Sequence, residues 1–434
     1  MKRVPPSVQT QEQIAQLVKQ GSLDGEDVLS KLLRLGMQRI IEEALEGGVR
    51  DVLGHRGYYE RRSGEQAGQR NGYRRGRLKS SEGEIGYAVP QVRGVQVDGL
   101  QALRSLFAGR TEELERIAVE TFARGCSTRD IEELFRNGDG ESLLSRTAVS
   151  ELTDSLWTEY EAFSTRDLSE ICPLYLFVDG VAERIRAGTP REAILAVWAI
   201  TWSGKKMLVQ LTPGTKESTD CCRALFEDLK RRGLGDPVMV VTDGAAGFIR
   251  TVEECFPKSL RQRCVVHRMR NLMAKLSDDV RDAFKAAATA AYQAPSPELA
   301  RALRDDLVMR YQRTCPTAVA CFLDDFEACI AHLSCPPAHR VMIRSTNLLE
   351  RIFVEERRRM KAAINVLGGE KAVLKLMFAS LTRATRRWLG VRITEIERAQ
   401  LQRLRKELED EHRQRNAPVV STKKVTPRRD LQQA

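Results

Sequence analysis

The chain has 434 residues, 42% hydrophobic and 30% charged, and its 70 Lys+Arg against 59 Asp+Glu give a formal net charge of +11. That length allows several domains around a substantial core, and the basic excess favours a polyanionic partner, because cations that neutralise phosphates release condensed counterions. Ten cysteines without a CxxC pair argue against a disulfide framework and for a reducing compartment. The most apolar run, AILAVWAI at 193–200, is too short to span a bilayer. Met1-Lys2-Arg3 leads into Pro5-Pro6 with no secretory signal behind it, so a soluble cytoplasmic protein without a membrane partner is expected.

Residues 26–48 place Leu29, Leu33, Ile40, Ile41, Ala44 and Leu45 near a helical period, which predicts an amphipathic helix. A Gly- and Arg-rich stretch follows. Between Arg61 and Lys79 it holds seven Lys/Arg against one acid, with Tyr58, Tyr59 and Tyr73 nearby. It reads either as a solvated loop or as a DNA-backbone arm, with Arg70, Arg74, Arg75 and Arg77 as phosphate contacts. EIGYAVPQVRG (84–94) closes it as a short strand. From Glu112 to Phe163 the period is helical again, with Gly125 as a stop, Ser127 or Thr128 as a cap, and a turn around Gly138-Asp139-Gly140. These helices read as a helix-turn-helix, with Ser145, Arg146 and Thr147 opening the recognition helix, or equally as an ordinary bundle.

Between Leu174 and Val241 the pattern changes to LYLFVD, AILAVWAIT and KKMLVQLT, then a helix TDCCRALFEDLKRRG and a strand PVMVV. Three strands, a crossover helix and a fourth buried strand predict an α/β domain. Residues 244–340 read as mostly helical, another long helix covers about 346–362, and the polar tail after Glu411 is expected to be disordered.

Two of these strands stop on the same dipeptide, at Asp179 in LYLFVDG and at Asp243 in PVMVVTDG. Singly, Asp-Gly is an ordinary turn. As a pair on one small domain, the two acids suit Mg²⁺, which takes hard oxygen ligands. A third carboxylate, Glu350, lies in STNLLERIFVEERRRMK, three residues after Asn347 on the same predicted helix face. It could be part of a charged helix face, but Arg357, Arg358 and Arg359 follow on that helix and bring phosphate-binding charge beside it. Two ions about 3.5–4 Å apart stabilise both attacking and leaving oxygens of an in-line displacement. In RQRCVVHRMRNL, Cys264 and His267 have metal-ligand spacing, but no second Cys/His pair accompanies them. A structural role at a strand-to-helix junction is therefore favoured over zinc.

At these residues the sequence resembles the Mutator-type transposases of bacterial insertion sequences. The elements that carry the resemblance are RNGYR (70–74), ARGCSTRDIEELF, YLFVDG, VVTDGAAGF, QRCVVHRMRNL and STNLLERIFVEERRR. The resemblance implies an α/β fold, a ribonuclease-H-like mixed sheet interrupted by an all-α insertion, after a mainly α DNA-binding region. It implies Asp179, Asp243 and Glu350 as a metal-binding catalytic triad with two Mg²⁺ or Mn²⁺ ions, and Cys264, His267, Asn347 and Arg351 as motif residues near it. The implied activity is strand cleavage at element ends followed by attack of the freed 3′-hydroxyl on another phosphodiester. The implied partners are double-stranded DNA, as terminal inverted repeats and target, and a second copy of the chain on DNA in the nucleoid. DGVAERIR and Phe353 depart from the usual family pattern. The expected division is 1–94 basic DNA-binding region, 95–168 helix-turn-helix-like domain, 169–249 first part of the catalytic domain, 250–340 helical insertion, 341–410 Glu-bearing and C-terminal helices, and 411–434 tail. The rival from another class is a catalytically silent, transposase-derived DNA-binding repressor; a hydrolytic nuclease without strand transfer is a third reading.

Overall fold

The computed structural model describes residues 4–21, 27–53, 68–94, 98–136, 140–183, 192–214, 219–347, 353–354, 357–358, 369–385 and 388–416. They divide into two compact units, Met1–Trp157 and Thr158–Ala434.

The first unit opens with two helices, α1 (Pro6–Gln20) and α2 (Val28–Leu53). On α2, Ile41, Leu45, Val49 and Leu53 recur every fourth residue, so they form one apolar stripe. The stripe packs on a hairpin of β1 (Gln69–Ser80) and β2 (Gly83–Arg93), through Leu78, Ile85, Tyr87 and Val89. The Gly/Arg-rich stretch is thus, from Gln69 onward, a strand rather than a loop. Gly76 shows why its glycines matter: a Cβ there would lie 2.4 Å from the Tyr87 ring and 2.8 Å from Val89. Two carboxylates of α2 are buried, and both are satisfied. Glu42 accepts from Thr10, Gln38 and the Ala88 amide, and Glu46 from Arg70 and Tyr73. A helix α3 (Asp98–Leu106) and a short β3 (Gly109–Arg110), parallel to β1, lead to α4 (Glu112–Ala123), α5 (Thr128–Leu134) and α6 (Arg146–Thr153). Ser127 caps α5 in a reciprocal capping box with Asp130.

A helix α7 (Ser155–Thr165) spans the division at Trp157, and in the second unit β4 (Pro173–Glu183), β5 (Glu192–Thr201) and β6 (Lys206–Gly214) follow it. After α8 (Thr219–Arg231) come β7 (Met239–Thr242), α9 (Ala246–Cys255) and β8 (Leu260–Arg263). The five strands make one sheet in the order β6-β5-β4-β7-β8. Pairing is antiparallel among β4, β5 and β6, and parallel from β4 through β7 to β8. Crossover helices supply the long connections that parallel pairs need. Leu176, Val178, Val197 and Val240 meet Phe226 of α8, Phe248 of α9 and Phe256 just past it on one face. The alternate residues turn to the other face, where Trp198 meets Trp388 and Tyr175 hydrogen-bonds His339. There Tyr160 and Phe163 of α7 pack against Phe378 of the helix Glu370–Thr385.

Beyond β8, α10 (Val265–Met273), α11 (Asp278–Tyr292), α12 (Pro297–Tyr311), α13 (Pro316–Leu323) and α14 (Phe326–Ile330) enclose their own core around Phe284, Tyr292, Phe322 and Phe326, and α15 (Pro337–Ile343) follows. The helical insertion expected from residue 250 is therefore interrupted at its start, because Leu260–Arg263 joins the sheet beside β7. At the far end, the helix Glu395–Arg415 runs past Glu411 into the stretch expected to be disordered. Its closing His412, Arg413 and Arg415 suit the negative end of the helix dipole.

Candidate active site

The ladder between β4 and β7 pairs Tyr175 with Met239, Leu176 with Val240 and Phe177 with Val241. The ladder ends there, two residues before Asp179 on β4 and two residues before Asp243, which follows the end of β7. Strand alternation puts Asp179 on the side of Tyr175 and Phe177, away from α8 and α9. The two acids nevertheless occupy different surroundings. Asp179 does not end its strand: β4 continues to Glu183, with Asp179 opposite Ala196 of β5, and only the neighbour β7 stops. The Asp179-Gly180 dipeptide is thus extended strand, and Asp179 is 7% exposed. Asp243 does stand at a turn, where Gly244 has φ +88° and Asp243 Oδ1 accepts from the Ala245 amide at 3.0 Å. Only a glycine adopts that φ without strain.

Beside Asp243, Cys264 lies at the junction of β8 and α10, its amide donating to Thr242 O at 2.7 Å. After the insertion the chain returns to this junction. The Val265 amide donates to Arg344 O at 2.9 Å, and Thr346 donates its amide and hydroxyl to Cys264 Sγ at 3.4 and 3.5 Å. Burial raises the Cys264 thiol, but hydrogen bonds from His267 and then Thr346 outweigh it and hold the thiol below its ordinary range. Cys264 thus meets the returning chain at the junction. Asn347 is exposed one residue beyond.

Glu350, Arg351 and Arg359 lie outside the described residues, so the third acid has no place in this geometry. Among the described residues no group of three His, Cys, Asp or Glu could hold a metal. Phe353, which departs from the usual pattern, is 3% exposed, and its carbonyl accepts from Arg357 Nε at 3.1 Å. Arg357 and Arg358 are exposed.

In the first unit, Arg70 is largely buried, its guanidinium 2.7 Å from Glu46, while Arg74, Arg75 and Arg77 are exposed. Arg74 and Arg75 border a cleft of roughly 410 Å³ between α1, α2 and the hairpin. Ser145 caps α6 by accepting from the Ala148 amide, and Thr147 is exposed. Arg146 binds Glu132 of α5 at 2.8 Å, which holds that carboxyl below its usual range. Residues 135–145, which join α5 to α6, far exceed the three or four of a tight helix-turn-helix. Arg263 and Gln262 escaped the sequence reading, although RQRC ahead of a strand-to-helix junction was their signal, as did Thr346 within STNLLER.

Residues 7–390 match the family model described as transposase, Mutator family. The chain is 31% identical over 278 residues to the transposase for insertion sequence element IS6120 of Mycolicibacterium smegmatis, covering 62% of this chain and 84% of that protein. It is 26% identical over 378 residues to the transposase for insertion sequence element ISRM5 of Rhizobium meliloti (strain 1021), covering 86% and 91%. With the transposase for insertion sequence element IS256 in transposon Tn4001 of Staphylococcus aureus it shares 27% identity over 336 residues, covering 76% and 84%. Among the described residues, no helix is long and apolar enough to cross a membrane.

Proposed function

The chain belongs to the Mutator family of transposases, and we propose that it cuts and joins DNA at the ends of an insertion sequence with Asp179, Asp243 and Glu350 as its acids. The observation that supports this reading is that the parallel ladder of β4 and β7 runs to Phe177 and Val241, two residues before each aspartate. The strand order β6-β5-β4-β7-β8, with an antiparallel β4-β5-β6 half and two parallel strands beyond β4, supports a ribonuclease-H-like domain.

Two hard-oxygen donors on adjacent strands fit Mg²⁺ or Mn²⁺, with Glu350 as the third donor. When bound, two such ions supply charge neutralisation at the attacking and leaving oxygens of an in-line displacement. The chain's own part is positioning. Asp243 is held through Oδ1 by the Ala245 amide, its one hydrogen bond among the described residues, which leaves Oδ2 for a ligand. Burial of Asp179 shields its carboxylate from bulk water. Thr346 and Cys264 fix where the chain re-enters before Glu350. Water, or the 3′-hydroxyl of a cut strand, attacks the phosphodiester, so no protein–DNA bond forms.

For the DNA itself, Arg74, Arg75 and Arg77 on the hairpin, Ser145 to Thr147 at the start of α6, and Arg357 to Arg359 are the proposed contacts. A dimer on DNA brings two element ends together. Incubating the protein with labelled element ends and Mg²⁺, then mapping products, tests the reading. Cut strands joined to a second duplex are expected. Bound but uncut ends would instead favour a silent DNA-binding protein, and cut but unjoined strands a nuclease.

A further inference from the structure

We propose that Arg263 is a positioning residue that couples the helical insertion to the Asp243 turn; the proposal rests on the reading of Asp243 as an active-site acid. A Cβ at Gly244 would lie 2.3 Å from Arg263 Nε and 2.9 Å from its Cγ and Cδ. The arginine stem therefore lies against the backbone of the turn that carries Asp243, in the space a side chain would take. Its Nε is buried without a hydrogen-bond partner, so packing on Gly244 is what that part of the side chain does.

The far end of Arg263 is anchored in the insertion. Its Nη1 is 3.2 Å from Asp324 and 3.4 Å from Asp325, at the turn between α13 and α14. That turn is itself held firmly. Asp325 sits in the left-handed region at φ 61° and takes both terminal nitrogens of Arg261, at 2.6 and 2.5 Å. Asp324 Oδ2 also accepts from Arg268 at 2.8 Å. Gln262, fully buried, donates to Cys329 O at 3.0 Å and accepts from the His332 amide at 2.7 Å. Such bidentate, charge-assisted contacts fix orientation as well as distance.

Of the three arginines in this cluster, Arg263 supplies the three atoms nearest a Cβ at Gly244, while Arg261 shares the anchor through Asp325. That difference separates positioning from a general role in holding the insertion. Bond-making at a phosphodiester is sensitive to placement, and an acid displaced by about 1 Å can cost about a hundredfold in rate.

The test uses full-length Arg263→Met, Arg263→Lys, Arg261→Met and Asp243→Asn proteins. Each is measured for single-turnover cleavage of a labelled end at saturating protein, for end affinity, for thermal unfolding, and for amide exchange across 243–248. Arg263→Met should cleave about ten- to a hundredfold more slowly, with unchanged end affinity and faster exchange in that turn. Arg263→Lys, which keeps the stem and charge, should recover part of the rate. Arg261→Met should melt earlier yet cleave within about threefold of the wild type. Equal rate losses for the two methionine variants, or none for Arg263→Met, would overturn the proposal. Cleavage by Asp243→Asn at the wild-type rate would overturn the underlying reading of the acid instead. Should Arg263→Met fail to fold, Asp324→Asn loosens the same arm at a side chain 66% exposed; a wild-type rate and exchange pattern there also overturn it.

Discussion

Arg70 and Arg74 stand four residues apart in the same basic strand, and exchanging each should produce opposite phenotypes. Arg70 donates to Glu46 at 2.7 Å, with the two side chains 11% and 6% exposed. Removing one partner of a buried ion pair costs about 3–5 kcal/mol, because the other charge stays desolvated. The Tyr73 hydroxyl remains on Glu46 at 2.5 Å, which lowers the expected loss for Arg70→Met to about 2–4 kcal/mol. In a unit of this size that lowers the melting transition by roughly 5–15 °C. End affinity, measured by fluorescence anisotropy below that transition, should keep its salt dependence. Arg74→Ala and Arg75→Ala should do the reverse. Melting should shift by no more than about 1–2 °C, while the slope of log affinity against log salt falls by about one for each phosphate no longer neutralised. Were Arg70→Met to melt normally but bind ends weakly and with a shallower salt slope, Arg70 would be a DNA-binding residue and the ion-pair argument would be wrong.

Two further expectations concern stability. Gly76→Ala places a Cβ 2.4 Å from the Tyr87 ring, so it should destabilise the first unit by about 1–3 kcal/mol of overpacking; a wild-type melting curve would show that the hairpin yields instead. His332 is depressed to about 4 by burial, then by Arg344 and Arg340. Because its folded value lies below its unfolded one, the unfolded chain takes up a proton first as pH falls through about 6.5, and stability drops until about pH 4. The drop is worth about 3 kcal/mol. Urea unfolding across that range should show it in the wild type and show less of it in His332→Asn; parallel profiles would contradict the assignment.

Much of the five-stranded sheet was legible in the sequence because its strands are apolar runs bounded by turn residues. LYLFVD, AILAVWAIT and KKMLVQLT each became a strand, and TDCCRALFEDLKRRG the crossover helix. β8 was not legible: LRQR reads as polar, and what makes it a strand is the ladder to β7 and the carboxylates waiting in the insertion. The helix α1 was also missed, since PSVQTQEQIAQLVKQ is Gln-rich and buries only Ser7, Thr10 and Leu17. Basic residues misled for a related reason. Charge marks a residue for solvent or for a partner, and only the buried Glu46 shows that Arg70 already has one. The two Asp-Gly dipeptides looked alike in sequence, yet one is strand and the other a turn, because β4 is paired past its aspartate and β7 is not.

Asp179 and Asp243 are proposed to act together on DNA. Asp179→Asn and Asp243→Asn preserve side-chain shape, so each can be measured for end binding and for Mg²⁺-dependent cleavage of the same labelled duplex. Both should bind ends with near wild-type affinity and cleave at least about a thousandfold more slowly. Wild-type cleavage by either variant would contradict the assignment of that aspartate to the active site.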